Sequence, residues 1–274
     1  MGNALAQSLP QRLRKAAHWL EGLSLDALLV ALAWGHALAA EAGVRLAAGP
    51  ALVLVLATWL TYAGDRLLDT LPGRPVPDSA RHRFCRRNWR LIAAAWLVLL
   101  PLSILLAAWT LPGWQFAGGW VLVFVVIIYY ILLQLPAPRS TRLLLKRSLV
   151  PIIFTAGVAW MARAWLDPRA LGGTALLLLG SAGNVLLISE TENRGQPDRP
   201  AWLGRSVTLV VVLLFLMAAA LFRALPATAL AALSIALFLS ILRHCARSWP
   251  ATGVRLLADA ALLVAAGFLL AGGL

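Results

Sequence analysis

The chain has 274 residues, of which 61% are hydrophobic and only 13% charged, a balance that excludes an ordinary soluble domain, which would need more polar surface. Its formal net charge of +13 would point to nucleic acid in a soluble protein. In a lipid-solvated chain the same lysines and arginines flank spans, set topology and meet anionic headgroups, so membrane lipid rather than nucleic acid is the expected partner.

Residues 1–22 carry Arg12, Arg14 and Lys15 ahead of the first apolar run and read as a cytoplasmic amphipathic segment. That run is too long for a signal-peptide core and ends without a small-residue cleavage site, so it reads as a retained first span. Residues 23–274 then read as one membrane domain. Crossing ~30 Å of hydrocarbon takes about 20 residues. On that basis spans are predicted at 24–43, 48–68, 90–111, 114–135, 147–166, 170–190, 206–225, 227–245 and 254–273, an all-α polytopic fold of nine transmembrane helices. Pro and Gly punctuate joins such as Leu111-Pro112-Gly113 and Ala224-Leu225-Pro226.

Ionisable groups at membrane depth are costly, which makes each a functional candidate. The first span holds Asp26, His36 and Glu41. His36, near mid-depth, suits a base for proton loss, while packing against a partner helix through one hydrogen bond is the plainer reading. The second span ends Trp59-Leu-Thr61-Tyr62-Ala-Gly-Asp65-Arg66-Leu-Leu-Asp69. Asp65 and Asp69 share a helix face with ~6 Å of rise between them. Magnesium suits such a pair, because it takes one or two carboxylates and completes its shell with water and phosphate oxygens. Pairing with Arg66 and the arginines that follow is the plainer reading of the same residues.

From the end of the fourth span into the start of the fifth, the chain runs from Tyr129-Tyr130 onward to Lys146-Arg147-Ser148-Leu-Val-Pro151, with Lys146 one of only two lysines in the chain. Placed against the start of a span, Lys146 and Arg147 suit a diphosphate held by charge-assisted hydrogen bonds, while a topology signal at a headgroup is the plainer reading. The sixth span contains Asn184 and ends in Glu190, Glu192 and Asp198. A second metal site or a water-ordering site fits there, as does a solvated helix end. His82 with Cys85, and His244 with Cys245, hint at metal ligands, but zinc sites want four at tighter spacing. Asp259 follows Arg255 by four residues, which a local ion pair explains.

Charge orients the spans. Basic residues at the N-terminus and in the loops after the second, fourth, sixth and eighth spans account for all of the 24 except Arg45, Arg163, Arg169 and Arg223. The positive-inside rule puts the N-terminus in the cytoplasm and, after an odd number of spans, the C-terminus outside, in an inner or plasma membrane. Cys85 and Cys245 then fall on the reducing side as free thiols.

Taken together, these stretches resemble the UbiA-type intramembrane prenyltransferases. Asp65 and Asp69 match the two aspartates of that family's Asn-x-x-x-Asp-x-x-x-Asp motif, with Thr61 in the Asn position. Lys146-Arg147 is similar to its Lys-Arg pair, with Pro151 following. The second motif departs: Asn184, Ile188 and Glu192 keep the four-residue spacing with an aliphatic residue in the middle, while Glu190 and Asp198 are off register. The resemblance implies helices around a central lipid-accessible chamber, and a magnesium-dependent enzyme that ionises a prenyl diphosphate and transfers the prenyl group to a lipophilic or aromatic acceptor. Terpene cyclases of the same superfamily use that donor without an acceptor; a degraded lipid-binding relative or a transporter is the rival class. In role, the resemblance makes Asp65, Asp69, Glu190 and Glu192 metal ligands and adds Tyr62 and Asn184 to the catalytic set. Lys146, Arg147, Arg81 and Arg83 would take the diphosphate. Trp59, Tyr62, Tyr129, Tyr130, Phe154 and Trp160 would face an allylic cation, or serve as interfacial packing.

Overall fold

A computed structural model describes residues 22, 24–70, 80–193, 202–246, 249 and 251–272. Residues 1–21, and with them Arg12, Arg14 and Lys15, lie outside the described residues, as does Asp198. Among the described residues there are nine α-helices and no strand: α1 (Leu25–Glu41), α2 (Ala48–Asp69), α3 (Ala80–Thr110), α4 (Gly113–Gln134), α5 (Arg139–Ala162), α6 (Pro168–Glu192), α7 (Trp202–Leu221), α8 (Pro226–Cys245) and α9 (Ala251–Gly272). Eight of these, α2 to α9, are long and apolar enough to cross a bilayer. The protein is therefore an all-α, multi-pass integral membrane protein. With 17 residues, α1 extends about 26 Å, slightly short of the hydrocarbon thickness.

The helix boundaries follow local chemistry. A Pro-Gly step separates α3 from α4, and Pro226 opens α8 at a position where its missing N–H costs nothing. Asp167 caps α6: its Oδ1 accepts from the Arg169 backbone N–H at 2.7 Å, with Pro168 in the first turn. Arg163 closes α5 in the left-handed conformation (φ 56°), and its N–H returns to the carbonyls of Ala159 and Trp160. Two helices run longer than their apolar stretches. In α3 the chain is helical ten residues before the predicted start, and α5 begins at Arg139 rather than 147. Nothing between Arg139 and Pro151 breaks a helix, so Lys146 and Arg147 lie two turns inside α5 and not ahead of it.

The described residues divide into two compact units, the first taking those up to Leu32 and within Ala47–Leu132, the second those within Ala33–Leu46 and from Leu133 onward. In the first, α2 packs on α3 around Ala63, Cys85 and Ile92, with Trp59, Phe84 and Trp96 against them. The Trp96 indole donates to the Leu60 carbonyl at 2.9 Å. The outer faces of α3 and α4 are apolar and exposed, with Leu97 at 67% and Trp109 at 89%. Leu102, Leu105, Val121 and Phe124 extend this surface. Soluble proteins rarely leave more than a few hundred Å² of contiguous apolar surface open, so this is surface made for lipid.

In the second unit α6 is the hub. Its small residues let neighbours approach: a methyl group at Gly183 would meet Leu239 at 2.6 Å, and one at Gly180 would meet Leu262 at 2.8 Å. Close approach at small residues is how helices associate in lipid, where burial of apolar surface supplies little drive. Around α6 stand α7, α8 and α9, and the end of α1 joins them through the fully buried Trp34, whose indole donates to the Leu262 carbonyl at 3.0 Å.

Candidate functional site

The carboxylates of α2 lie in the first unit. Asp65 and Asp69 are each half-buried on the last turns of the helix. From α4, the Tyr129 hydroxyl donates to Asp65 Oδ1 at 2.9 Å, and the Tyr130 hydroxyl donates to the Thr61 carbonyl, one turn earlier, at 2.7 Å. Two adjacent tyrosines thus grip successive turns of α2, their rings 5.5 Å apart. Gly64 lies between these turns and accommodates the pair: a methyl group there would meet the Tyr130 oxygen at 2.6 Å. Arg66 is buried and donates to the Gly22 carbonyl at 2.5 Å. Thr61, in the expected Asn position, turns its hydroxyl onto the Ala57 carbonyl of its own helix at 2.8 Å.

Tyr129 was expected to line a cation chamber. It is 3% exposed, and its hydroxyl holds the Asp65 carboxylate. The sequence named both residues but offered no means of linking them, because 64 positions separate them. Tyr62 and Trp59 are half-buried on α2, and Trp59 lies with Arg66, Cys85 and Ile92 around a small cleft. Arg83 is exposed at the start of α3, while the side chain of Arg81 lies outside what the structure describes.

The remaining candidates lie in the second unit. Arg147 on α5 is 5% exposed, its guanidinium 5.6 Å from the centroid of the Trp202 ring of α7. Phe154 is half-buried, and Trp160 stacks on Trp165 at 5.7 Å and 11°. On α6, Glu190 is buried and its Oε2 lies 3.4 Å from Arg243 Nε of α8. Arg243 also donates to the Thr208 hydroxyl at 2.6 Å and the Gly204 carbonyl at 2.9 Å, both on α7. Asn184 is buried and donates to Asp259 Oδ1 of α9 at 2.5 Å. The other oxygen of Asp259 lies 4.0 Å from Arg255 Nε, so the ion pair read from their spacing is present and extends to α6. Glu192 is half-buried in the last turn of α6.

These contacts give the α6 residues a part in packing. One guanidinium links α6, α7 and α8 through Glu190, and one carboxylate links α6 to α9 through Asn184. Arg243 as a partner is not legible in the sequence, since it stands 53 positions on from Glu190. His36 is exposed on α1, which does not match the expectation that it packs against a partner helix of this chain. Among the described residues of either unit, no three His, Cys, Asp or Glu side chains gather closely enough to hold a metal ion.

No family model, curated protein or solved structure matches this chain.

Proposed function

We propose that this protein is an intramembrane enzyme that ionises a prenyl diphosphate with the help of magnesium and transfers the prenyl group to a lipophilic or aromatic acceptor. In this reading α1 is the ninth span, the N-terminus is cytoplasmic and the C-terminus outside, in an inner or plasma membrane. The likeness to UbiA-type enzymes, with its lipid-accessible chamber, belongs to the same proposal. The observation that supports it most is the hydrogen bond from Tyr129 to Asp65. A carboxylate steered by a neutral hydroxyl donor, one helical turn before a second carboxylate, has the form of a metal ligand with an orienting partner. The donor set suits the ion in kind: magnesium takes one or two carboxylates, and Asp65 and Asp69 supply two, one helical turn apart.

When bound, magnesium supplies positive charge to the departing diphosphate oxygens. Asp65 and Asp69 hold and place it, and Tyr129 fixes the rotamer of Asp65. The assignment of Lys146 and Arg147 to the diphosphate rests on sequence likeness, as does that of Trp59, Tyr62, Tyr130 and Phe154 to the allylic cation.

A second reading is favoured by the end of α6. Because Glu190 and Asn184 are engaged in packing, a relative that binds the prenyl lipid without turning it over accounts for the degenerate second motif. Incubation of purified protein with geranyl, farnesyl and geranylgeranyl diphosphates plus magnesium separates the two. Release of diphosphate from any of them supports the enzyme, and no release from all three, with and without a quinol-like acceptor, sinks it. A cyclic product formed from donor alone replaces transfer with cyclisation.

A further inference from the structure

The first three turns of α3 are longer than a span requires. At 31 residues the helix extends about 46 Å, against ~30 Å of hydrocarbon. Its apolar stretch begins at Leu91, so the turns before it project beyond the hydrocarbon. The helix bends between these parts at Asn88, whose backbone leaves helical geometry (φ −112°, ψ 17°) while its side chain donates to the Phe84 carbonyl at 2.9 Å. On one side, Cys85 is fully buried against α2. On the other, Arg83, Arg86, Arg87 and Arg90 are all exposed. They stand 3, 4 and 7 positions on from Arg83, the spacing of a single helix face. No acidic residue occurs anywhere in α3.

We propose that this segment is a binding arm for the headgroup of an anionic phospholipid. The four guanidiniums take the phosphate, for which their planar donor pairs are suited. Trp89, half exposed and with the Arg90 guanidinium 5.6 Å from its ring centroid, stands at the interfacial level that tryptophan prefers. Directly beyond the arginines, Leu91, Leu97 and Val98 are exposed, so a molecule with a phosphate head and a hydrocarbon tail meets matching surface along its length. That continuity selects a lipid over a soluble phosphate. The inference does not depend on the proposed enzyme activity and gives Arg83 a use apart from it.

Native mass spectrometry of the full-length protein in detergent, titrated with phosphatidylglycerol or phosphatidylcholine, tests it. Each arginine near an anionic surface contributes about fivefold in affinity, so the protein is expected to retain phosphatidylglycerol at least ~10-fold more tightly. Replacing all four arginines with Gln removes the preference, and replacing them with Lys keeps most of it. Equal retention of the two lipids by the unaltered protein overturns the proposal, as does an undiminished preference in the Gln variant. Should the fourfold variant not fold, the unaltered protein and Arg87→Gln alone, with an expected loss of about fivefold, decide the matter. Displacement of phosphatidylglycerol by millimolar inorganic diphosphate also overturns it, assigning the arginines to a soluble ligand.

Discussion

At the end of α2 the Asp65 carboxylate accepts a hydrogen bond from the Tyr129 hydroxyl at 2.9 Å, whereas at the end of α6 the Glu190 carboxylate lies 3.4 Å from the Arg243 guanidinium. The two helix ends have similar composition: each carries two carboxylates within four positions and an amide or hydroxyl residue earlier on the helix. They differ in the donors that reach them. A hydroxyl orients a carboxylate without adding a charge of its own. A guanidinium adds the opposite charge and, through its other nitrogens, ties a third helix to the pair. Residue type alone therefore does not separate the two helix ends; in the proposed reading the chemistry of the donor from the neighbouring helix does.

The comparison breaks most sharply at Asp65. Asp65→Asn is expected to lower magnesium-dependent diphosphate release on the order of 10²–10³-fold, the scale of losing one electrostatic contact in a water-poor site. The thermal unfolding midpoint should hold, since the Tyr129 hydroxyl still finds an oxygen. Unchanged turnover would remove α2 from the chemistry. At Glu190 the opposite profile is expected. Glu190→Ala leaves Arg243 without its carboxylate, and because that arginine is about a third exposed, the cost is about 1–3 kcal/mol of stability, below that of a fully buried broken pair. The magnesium concentration giving half-maximal diphosphate release should not move. If it rises tenfold while stability holds, Glu190 is a ligand after all. Tyr129→Phe sharpens the α2 side. Losing an orienting partner of a metal ligand costs about 10–100-fold in metal affinity. The expected readout is a higher magnesium requirement with the saturated rate retained in large part. A variant that merely loosened α4 would lower the rate at every magnesium concentration.

Much of the fold is legible in the sequence because the bilayer imposes a length and a composition on every span. Among the described residues each apolar run falls on a helix in the same order, eight of them long and apolar enough to cross a bilayer, and the breaks fall at the Pro-Gly step near 112 and at Pro226. The ends were less legible. Hydropathy marks where lipid begins, while helix formation continues through polar residues until a breaker stops it, so α3 and α5 start eight to ten residues early. Of the candidate site, Asp65 and Asp69 are visible as a charged pair on one face. Their relation to Tyr129 is not, because it depends on which helices stand side by side. The same holds for Asn184: its four-residue spacing to Ile188 and Glu192 can be read along the chain, whereas its bond to Asp259 runs across 75 positions.

Asn184 makes the smallest test and the most discriminating one, because it belongs to the motif by spacing and to the packing by contact. If it serves packing, Asn184→Ala removes one hydrogen bond between α6 and α9. Polar contacts of this kind between membrane helices average about 0.6 kcal/mol and reach about 1.7. A fall in the unfolding midpoint of that size is expected, with no change in the magnesium requirement. Asn184→Asp separates the alternatives by sign. At a metal site an added carboxylate would keep or tighten magnesium binding. Here it would set a second negative charge against Asp259, whose carboxylate already has Arg255 at 4.0 Å. The Asp variant should therefore be less stable than the Ala variant, although it is nearer in size to the native residue. A tighter magnesium response in Asn184→Asp would return the end of α6 to the chemistry and erase the distinction from α2.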